Sequence, residues 1–254
     1  MKIPEAKWAE IHVAFLFAIL LGLSSSCSAN TSDAPSKVRP NNPSTPIEVS
    51  EDFKKEGSSM LEENHGKDDG MEKNHLESVK NMLEFVLKDL KDFTFIDAGC
   101  GTGWVVRMVS KIENCLNSSG MDGSLNMIKK AQRLDSLNNY DCGDLLTWKP
   151  RTKKDIVHSM EVLYYFEDPS IVLKNFYNNW LNNHGRLIIG IDFYKENLLS
   201  HDWPKKTNVS IMNLLSTNQW LRMFEECGYK NIKNWSVGKS KDWGGTLVIT
   251  GTKN

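Results

Sequence analysis

Apolar residues follow two alternating patterns from about Met71 to the C-terminus. In segments such as HLESVKNMLEFVLKDL (residues 75–90) they recur every three or four residues, which predicts amphipathic helices. In shorter segments such as FTFIDAG (residues 93–99) they are nearly continuous, which predicts strands that are buried on both faces. Because strands and helices alternate along the chain, the pattern favours a parallel sheet that is covered by helices on both faces.

The predicted elements can be given in chain order. The strands are FTFIDAG, a strand that ends at SGMDGS (119–124), YDCGD (140–144), DIVHSMEV (155–162), GRLIIGIDFY (185–194), NIKNWSVGKS (231–240) and GGTLVITGT (244–252). The helices after the first are WVVRMVSKI (104–112), SLNMIKKAQRL (124–134), PSIVLKNFYNNWL (169–181) and STNQWLRMFEECGY (216–229). Ser216 or Thr217 is the expected N-cap of the last helix. The last two strands predict an antiparallel pair at the end of the chain.

Residues 1–70 differ in composition from the rest of the chain. IHVAFLFAILLGL (11–23) is an apolar run that is shorter than the roughly 20 residues of a membrane-spanning helix. Because SSSCSA (24–29) follows it, residues 1–29 are typical of either a signal peptide or a membrane anchor. Residues 30–70 are rich in Ser, Pro and Asn, which predicts a disordered linker. We therefore expect a single folded domain over residues 71–254.

The charge balance and the cysteine spacing exclude some classes of function. The 31 basic and 32 acidic residues give a formal net charge of −1, whereas a broad nucleic-acid surface would need a clear basic excess. No clustered Cys and His spacing is present, so we expect no metal site. The oligomeric state does not follow from the sequence.

The segment DAGCGTG (97–103) carries the most specific signal. Three glycines, Gly99, Gly101 and Gly103, follow an acid at the point where a strand becomes a helix. Because glycine has no side chain, a ligand could approach the backbone closely here and contact the first N–H groups of the helix. The dinucleotide fingerprint is G-x-G-x-x-G, and here the third glycine comes one position early; no GK[ST] follows, which excludes a P-loop. The carboxylate of Asp97 suits an ammonium group better than a pyrophosphate.

Further segments occur in the order and spacing of a known family. They are GMDGSLNMIKKA (120–131), CGDLL (142–146), DIVHSMEVLYYFEDP (155–169) and LNNHGRLIIGI (181–191). Together with DAGCGTG, they resemble the class I S-adenosylmethionine-dependent methyltransferases in their small "type 11" form, over residues 71–254. The resemblance implies an α/β, Rossmann-like fold with a seven-stranded, mostly parallel sheet, helices on both faces and an antiparallel terminal strand. It also implies methyl transfer from S-adenosylmethionine, the cofactor.

The resemblance also implies which residues bind this cofactor. Asp122 would hold the ribose hydroxyls, and it lies 19 residues after Gly103, close to the ~20 expected for ribose recognition. The residues that the resemblance assigns to the cofactor are Asp97, Gly99, Cys100, Gly101 and Gly103 in the loop, Asp122 at the ribose, Asp144 and Leu145 at the adenine, and Ser159 at the methionine moiety.

The acceptor and its chemistry are less specified. A sulfonium methyl group is already activated, so catalysis needs mostly alignment, and a base is needed only if the nucleophile arrives protonated. The catalytic residues are therefore unknown, and the candidates at the ends of strands four and five and beyond are Glu161, Tyr165, Asp192 and His201. Only the segment before FTFIDAG and the insert over residues 192–215 can cover the site, which favours a small-molecule acceptor.

Two other functions are compatible with parts of this pattern. One is an S-adenosylmethionine-binding protein without transfer activity. The other is an NAD-dependent Rossmann oxidoreductase, and the early third glycine is evidence against it.

Because S-adenosylmethionine is an intracellular metabolite, we expect a cytoplasmic or membrane-anchored protein whose catalytic domain faces the cytosol. Membrane attachment would use residues 11–23; alternatively, translation begins at Met60 or Met71.

Overall fold

The computed structural model describes residues 70–254. The strands are β1 (Phe93–Ala98), β2 (Cys115–Asp122), β3 (Asn139–Cys142), β4 (Lys154–Met160), β5 (Leu181–Ile191), β6 (Lys230–Val237) and β7 (Thr246–Thr252). The helices are α1 (70–86), α2 (Trp104–Val109), α3 (Leu125–Leu134), α4 (Pro169–Asn175), α5 (Trp203–Thr207) and α6 (Thr217–Glu226). A wider π-turn (Phe176–Trp180) continues α4, and short 3-10 turns lie at Leu163–Tyr165 and Leu198–Ser200.

The seven strands form one sheet in the order β3-β2-β1-β4-β5-β7-β6. All neighbouring strands run parallel except the two pairs that include β7, which is antiparallel to both β5 and β6. This arrangement confirms the predicted Rossmann-like sheet and its antiparallel terminal strand. The chain order reverses between β1 and β4, and in such sheets ligands bind in the crevice at the carboxyl ends of the strands beside this point.

Alternating side chains of the strands pack on the two faces of the sheet, as the period of a strand requires. On one face, Trp180 and Trp220 join α4 and α6 to a core that includes Val157. On the other face, Met82 of α1 packs in a separate core that includes Ile156, the neighbour of Val157 in β4. The strands are therefore apolar at successive positions, which explains why they lack the alternation of a half-exposed sheet.

The sequence pattern placed the starts of α2, α3, α4 and α6 within one residue, whereas it placed the starts of α1 and β5 five and four residues too late. The N-cap of α6 is Ser216, whose side chain accepts from the Gln219 N–H while the Gln219 side chain accepts from the Ser216 N–H. β5 begins at Leu181, four residues before the predicted start, because Leu181 pairs with Lys154 of β4 ahead of an irregularity in the register. This early pairing is a long-range contact that local periodicity does not contain.

The insert over residues 192–215 is held by hydrogen bonds of Asn197 and by stacked rings, and both reach the loop between β6 and β7. The Asn197 side chain donates to the Asp192 carbonyl at 2.7 Å and accepts from the Gly244 N–H at 3.0 Å. Trp203 stacks between Phe193 and Trp243, with ring centroids 6.3 and 6.2 Å apart. The insert therefore lies directly beyond the carboxyl end of β5.

The predicted signal or anchor segment (1–29) and nearly all of the predicted linker (30–70) lie outside the described residues. Within residues 70–254, every helix is too short or too polar to span a bilayer.

Asn197→Ala should lower the free energy of unfolding by about 2 kcal/mol, because it leaves the buried Asp192 carbonyl and the half-buried Gly244 N–H without their partner. Asn183→Ala, the same change at an exposed position, should change it by less than about 0.5 kcal/mol. Chemical denaturation measures both values. Equal stability of the two variants would show that Asn197 does not hold the insert.

Candidate functional site

The loop between β1 and α2 lies at the point where the strand order reverses. The Gly99 and Cys100 N–H groups both donate to the Met121 carbonyl, at 2.8 and 3.0 Å, which ties the loop to β2. Gly99, Gly101 and Gly103 have φ angles of +79°, +54° and +78°. These values lie in the left-handed region, which favours glycine because other residues are strained there.

The three glycines leave room for different groups. A Cβ at Gly99 would overlap the Val162 side chain, and a Cβ at Gly103 would overlap the Tyr140 ring. A Cβ at Gly101 would have no atom within 4 Å. Of the three, Gly101 is therefore the position where the missing side chain opens space for a ligand, while the other two accommodate the protein's own core. The sequence alone did not distinguish them.

A cleft of about 510 Å³, including its open mouth, borders this loop. It is lined by Met71, His75, Asp97, Gly99, Cys100, Gly101, Thr102, Trp104, Val105, Met127 and Met160. Met71 and His75 belong to α1, so the segment before β1 does cover the site. His75 was not a candidate in the sequence, because one histidine in an amphipathic helix is indistinguishable from a core residue.

Asp122 at the end of β2 connects the loop to α3. Its Oδ2 accepts from the Gly101 N–H at 2.9 Å, and its Oδ1 accepts from the Ser124 N–H at 2.7 Å. Burial raises the pKa of Asp122, although the two N–H groups act in the opposite direction. Each oxygen has a second lone pair, so the carboxylate can accept two further hydrogen bonds from a ligand.

Asp97 in β1 is paired with a histidine of the neighbouring strand. Its Oδ1 lies 2.7 Å from Nδ1 of His158 in β4, and both side chains are buried. The two residues are partners in the register of the parallel pair. Asp97 also lines the cleft, so its carboxylate is shared between the sheet and the site.

The other predicted cofactor residues have side chains that are engaged within the protein. The Ser159 hydroxyl donates to the Ala98 carbonyl at 2.8 Å, and Leu145 packs in the core. The Cys100 thiol packs against Gly120, and burial raises its pKa well above the usual value, so it stays neutral. Asp144 is exposed, and its carboxylate accepts from the Leu146 N–H. Any contact of Cys100, Leu145 or Ser159 with a ligand would therefore come from the backbone.

The candidates at the ends of β4 and β5 form a buried cluster. Glu161 accepts from the Asp192 N–H at 2.5 Å and from the Tyr164 hydroxyl at 2.8 Å. The Tyr164 hydroxyl lies 3.3 Å from that of Tyr165, and Nδ1 of His75 lies 3.9 Å from Oδ2 of Asp192. The structure thus brings together Glu161, Tyr165 and Asp192 and adds His75 from α1.

Glu161 is an unusual residue of this cluster. Its φ of +60° is in the left-handed region, where a residue with a side chain is strained. Burial raises its pKa to about 8, although the hydrogen bonds from Tyr164 and the Asp192 N–H lower it. The group can therefore hold a proton at neutral pH.

His201 is placed apart from these residues. Its Nε2 lies 3.0 Å from the Lys195 carbonyl, on an exposed part of the insert. Within residues 70–254, no group of His, Cys, Asp and Glu side chains is arranged to hold a metal ion.

Comparison with known proteins identifies a family model and solved structures that are similar to this chain. The family model described as "Methyltransferase domain" matches residues 71–234. No curated protein sequence matches the chain significantly.

Three solved structures illustrate the structural similarity. A Haloferax volcanii methyltransferase in complex with the Trm112 methyltransferase activator is 24% identical, with a TM-score of 0.63 over 74% of this chain and 93% of that chain. An S-adenosylmethionine-dependent methyltransferase from Thermotoga maritima is 19% identical, with a TM-score of 0.56 over 77% and 99%. Human N-acetylserotonin methyltransferase in complex with S-adenosylmethionine is 16% identical, with a TM-score of 0.59 over 73% and 54%. At these sequence identities, the structural similarity shows that this chain has the same fold as these proteins.

Glu161→Gln should make stability less dependent on pH. The pKa of the Glu161 carboxyl group is near 4.3 in the unfolded chain and about 8 in the folded protein. Between these pH values the folded state binds more protons than the unfolded state. Wild-type stability should therefore fall as the pH rises through this window. Glu161→Gln lacks this loss, so at pH 8 it should be more stable than the wild type by roughly 4–5 kcal/mol, the free energy that corresponds to a pKa shift of this size.

Thermal and urea unfolding between pH 5 and pH 9 measure this difference. Glu167→Gln, the same change at an exposed site, is the control and should parallel the wild type. Parallel pH profiles for all three proteins would contradict the raised pKa of Glu161.

Proposed function

The chain belongs to the methyltransferase-domain family, and we propose on this basis that it transfers a methyl group from S-adenosylmethionine to a small-molecule acceptor. The observation that carries the proposal is the pairing of Gly101 with Asp122: an open loop position directly beside a carboxylate with unused lone pairs. S-adenosylmethionine is the cofactor of this family, and the residues present fit it.

The fit can be stated group by group. Asp122 at the end of β2 would accept hydrogen bonds from the two ribose hydroxyls, because a carboxylate suits a vicinal diol. Gly101 leaves space that a Cβ would fill, and the carboxylate of Asp97 suits the ammonium group of the cofactor's amino acid. The backbone at Asp144 and Leu145 would border the adenine, and that at Ser159 the methionine moiety.

The cofactor supplies a methyl group that its sulfonium charge already activates. The chain then has to align the acceptor for in-line attack and to exclude water. When the acceptor's nucleophile carries a proton, a base must take it. We assign the acceptor side of the cleft to Glu161, Tyr165, Asp192 and His75, since these residues lie at the ends of β4 and β5 and at the wall that α1 provides. His201 lies outside this cluster.

The small size of the acceptor is inferred from what covers the site. Within residues 70–254, α1 lines the cleft through Met71 and His75, and the insert over residues 192–215 approaches α1 where Asp192 lies near His75. The insert is held by Asn197 and by the stacked rings around Trp203, so the two segments form a fixed cover, which favours a small acceptor over a macromolecular one.

Calorimetric titration tests the cofactor. The protein should bind S-adenosylmethionine and S-adenosylhomocysteine with micromolar Kd, and Asp122→Ala should weaken both by about tenfold or more, because two hydrogen bonds to the ribose are lost. Asp141→Ala, at an exposed carboxylate on the edge strand β3, is the matched control and should bind like the wild type.

Binding of NADH in place of these compounds would contradict the proposal. Incubation with methyl-labelled S-adenosylmethionine and a panel of amines, thiols and hydroxyl compounds then separates a transferase from a protein that only binds the cofactor. Label that is transferred to any panel member establishes transfer, and tight binding without transfer favours the binding protein.

Gly101→Ala and Gly103→Ala should have different effects. The first places a Cβ in open space at a strained φ, so it should cost about 1 kcal/mol of stability and should weaken cofactor binding at least tenfold by occupying the ligand's space. The second drives a Cβ into the Tyr140 ring, so it should destabilise the protein by roughly 2 kcal/mol or more. Thermal unfolding and calorimetry measure the two effects. Normal cofactor affinity in folded Gly101→Ala would place the ligand elsewhere.

A further inference from the structure

The buried pair Asp97–His158 has a geometry that packing alone does not explain. The two side chains are 3% and 0% exposed, they belong to the neighbouring strands β1 and β4, and Oδ1 lies 2.7 Å from Nδ1. With Asp97 ionised, its carboxylate can only accept hydrogen bonds, so Nδ1 of His158 is the donor in this short contact. A contact of this length is typical of a charge-assisted hydrogen bond.

The second ring nitrogen of His158 indicates that burial of the pair costs free energy of folding. Within residues 70–254, Nε2 of His158 is buried and has no hydrogen-bond partner. The ring lies on the α1-facing side of β4 with the Phe95 ring 5.9 Å away, and its strand neighbour in β5 is the apolar Ile188. A buried polar pair in such surroundings generally stabilises a fold no more than apolar residues of the same size, so the unsatisfied nitrogen indicates a role for the pair other than stability.

The position of Asp97 relative to the cleft suggests this role. His158 occupies Oδ1, and Asp97 lines the cleft, so Oδ2 is the oxygen that is available to a ligand. Asp122 is a second carboxylate close enough that Asp97 contributes to its raised pKa. Arg107 of α2 donates to the Thr102 carbonyl and is not among the residues that line the cleft. The loop side of the cleft therefore favours a cationic group.

We propose that His158 is a positioning residue for the amino-acid end of the methyl donor. Its Nδ1–H holds Oδ1 of Asp97, and Oδ2 of Asp97 then accepts hydrogen bonds from the donor's ammonium group. This inference rests on the proposed function. It assigns to a histidine in the centre of the sheet a part in selecting a nucleoside that carries an amino acid over a nucleoside that lacks one.

Two nucleosides, one with and one without the amino-acid end, test this assignment. S-adenosylhomocysteine carries the ammonium group, whereas 5′-methylthioadenosine has the same adenosine and a thioether without the amino acid. The full chain is titrated with both compounds by calorimetry, as wild type and as His158→Leu, His158→Asn and His158→Gln. Asn places an N–H near the position of Nδ1, and Gln places one near Nε2, so the last two variants form a matched polar pair.

His158→Leu and His158→Gln should lose about tenfold in affinity for S-adenosylhomocysteine, the loss expected for one charge-assisted hydrogen bond. Their affinity for 5′-methylthioadenosine should stay within about twofold of the wild type, and His158→Asn should retain most of the affinity for both compounds. If His158→Leu does not fold, the difference in S-adenosylhomocysteine affinity between His158→Asn and His158→Gln tests the proposal.

Equal losses for the two nucleosides, or no loss in either His158→Leu or His158→Gln, would overturn the positioning role and leave the proposed function intact. A wild-type protein that binds neither nucleoside would overturn the proposed function and this inference together.

Discussion

The hydrogen bonds of the Asp122 carboxylate connect the elements that form the loop side of the site. One oxygen accepts from Gly101 in the glycine loop, and the other accepts from Ser124 at the start of α3. The Met121 carbonyl beside it accepts two more N–H groups of the loop. The end of β2 thus fixes a turn whose three glycines are all in the left-handed region, and the cleft, the α2 N-terminus and the open position at Gly101 depend on that turn.

A second set of buried polar groups lies where the central strands end. Glu161, Asp192 and the pair Asp97–His158 are all nearly inaccessible to solvent, and Glu161 is also held in a strained backbone conformation. Buried ionisable groups and backbone strain lower stability, and they concentrate at functional sites, where the rest of the fold holds them in place. In this protein the apolar faces of the sheet provide that support, with Trp180 and Trp220 on one side and α1 on the other.

The two sides of the cleft are specified to different degrees. The loop side combines two carboxylates, Asp97 and Asp122, with apolar side chains such as Trp104 and Met127, and the carboxylates favour a cationic nucleoside. In our proposal, the acceptor side consists of side chains from α1, from the ends of β4 and β5, and from the insert over residues 192–215. Because methyl transfer from a sulfonium needs alignment more than chemical assistance, this side can vary without loss of the reaction. We therefore expect the residues of this side, and not family membership, to define the acceptor.

The sequence by itself determined the order along the chain of the seven strands and of every helix except the short α5, together with the antiparallel terminal pair and the glycine loop, because periodicity, caps and glycine spacing are local properties of the chain. It also identified Asp97 and Asp122 as the carboxylates of the loop. Only the tertiary structure decided that Gly99 and Gly103 make room for Val162 and Tyr140 rather than for a ligand. It also brought His75 and His158 to the site and left His201 on the surface. These assignments depend on which residues from distant segments meet across the sheet, and a pattern that extends over a few residues carries no information about such contacts.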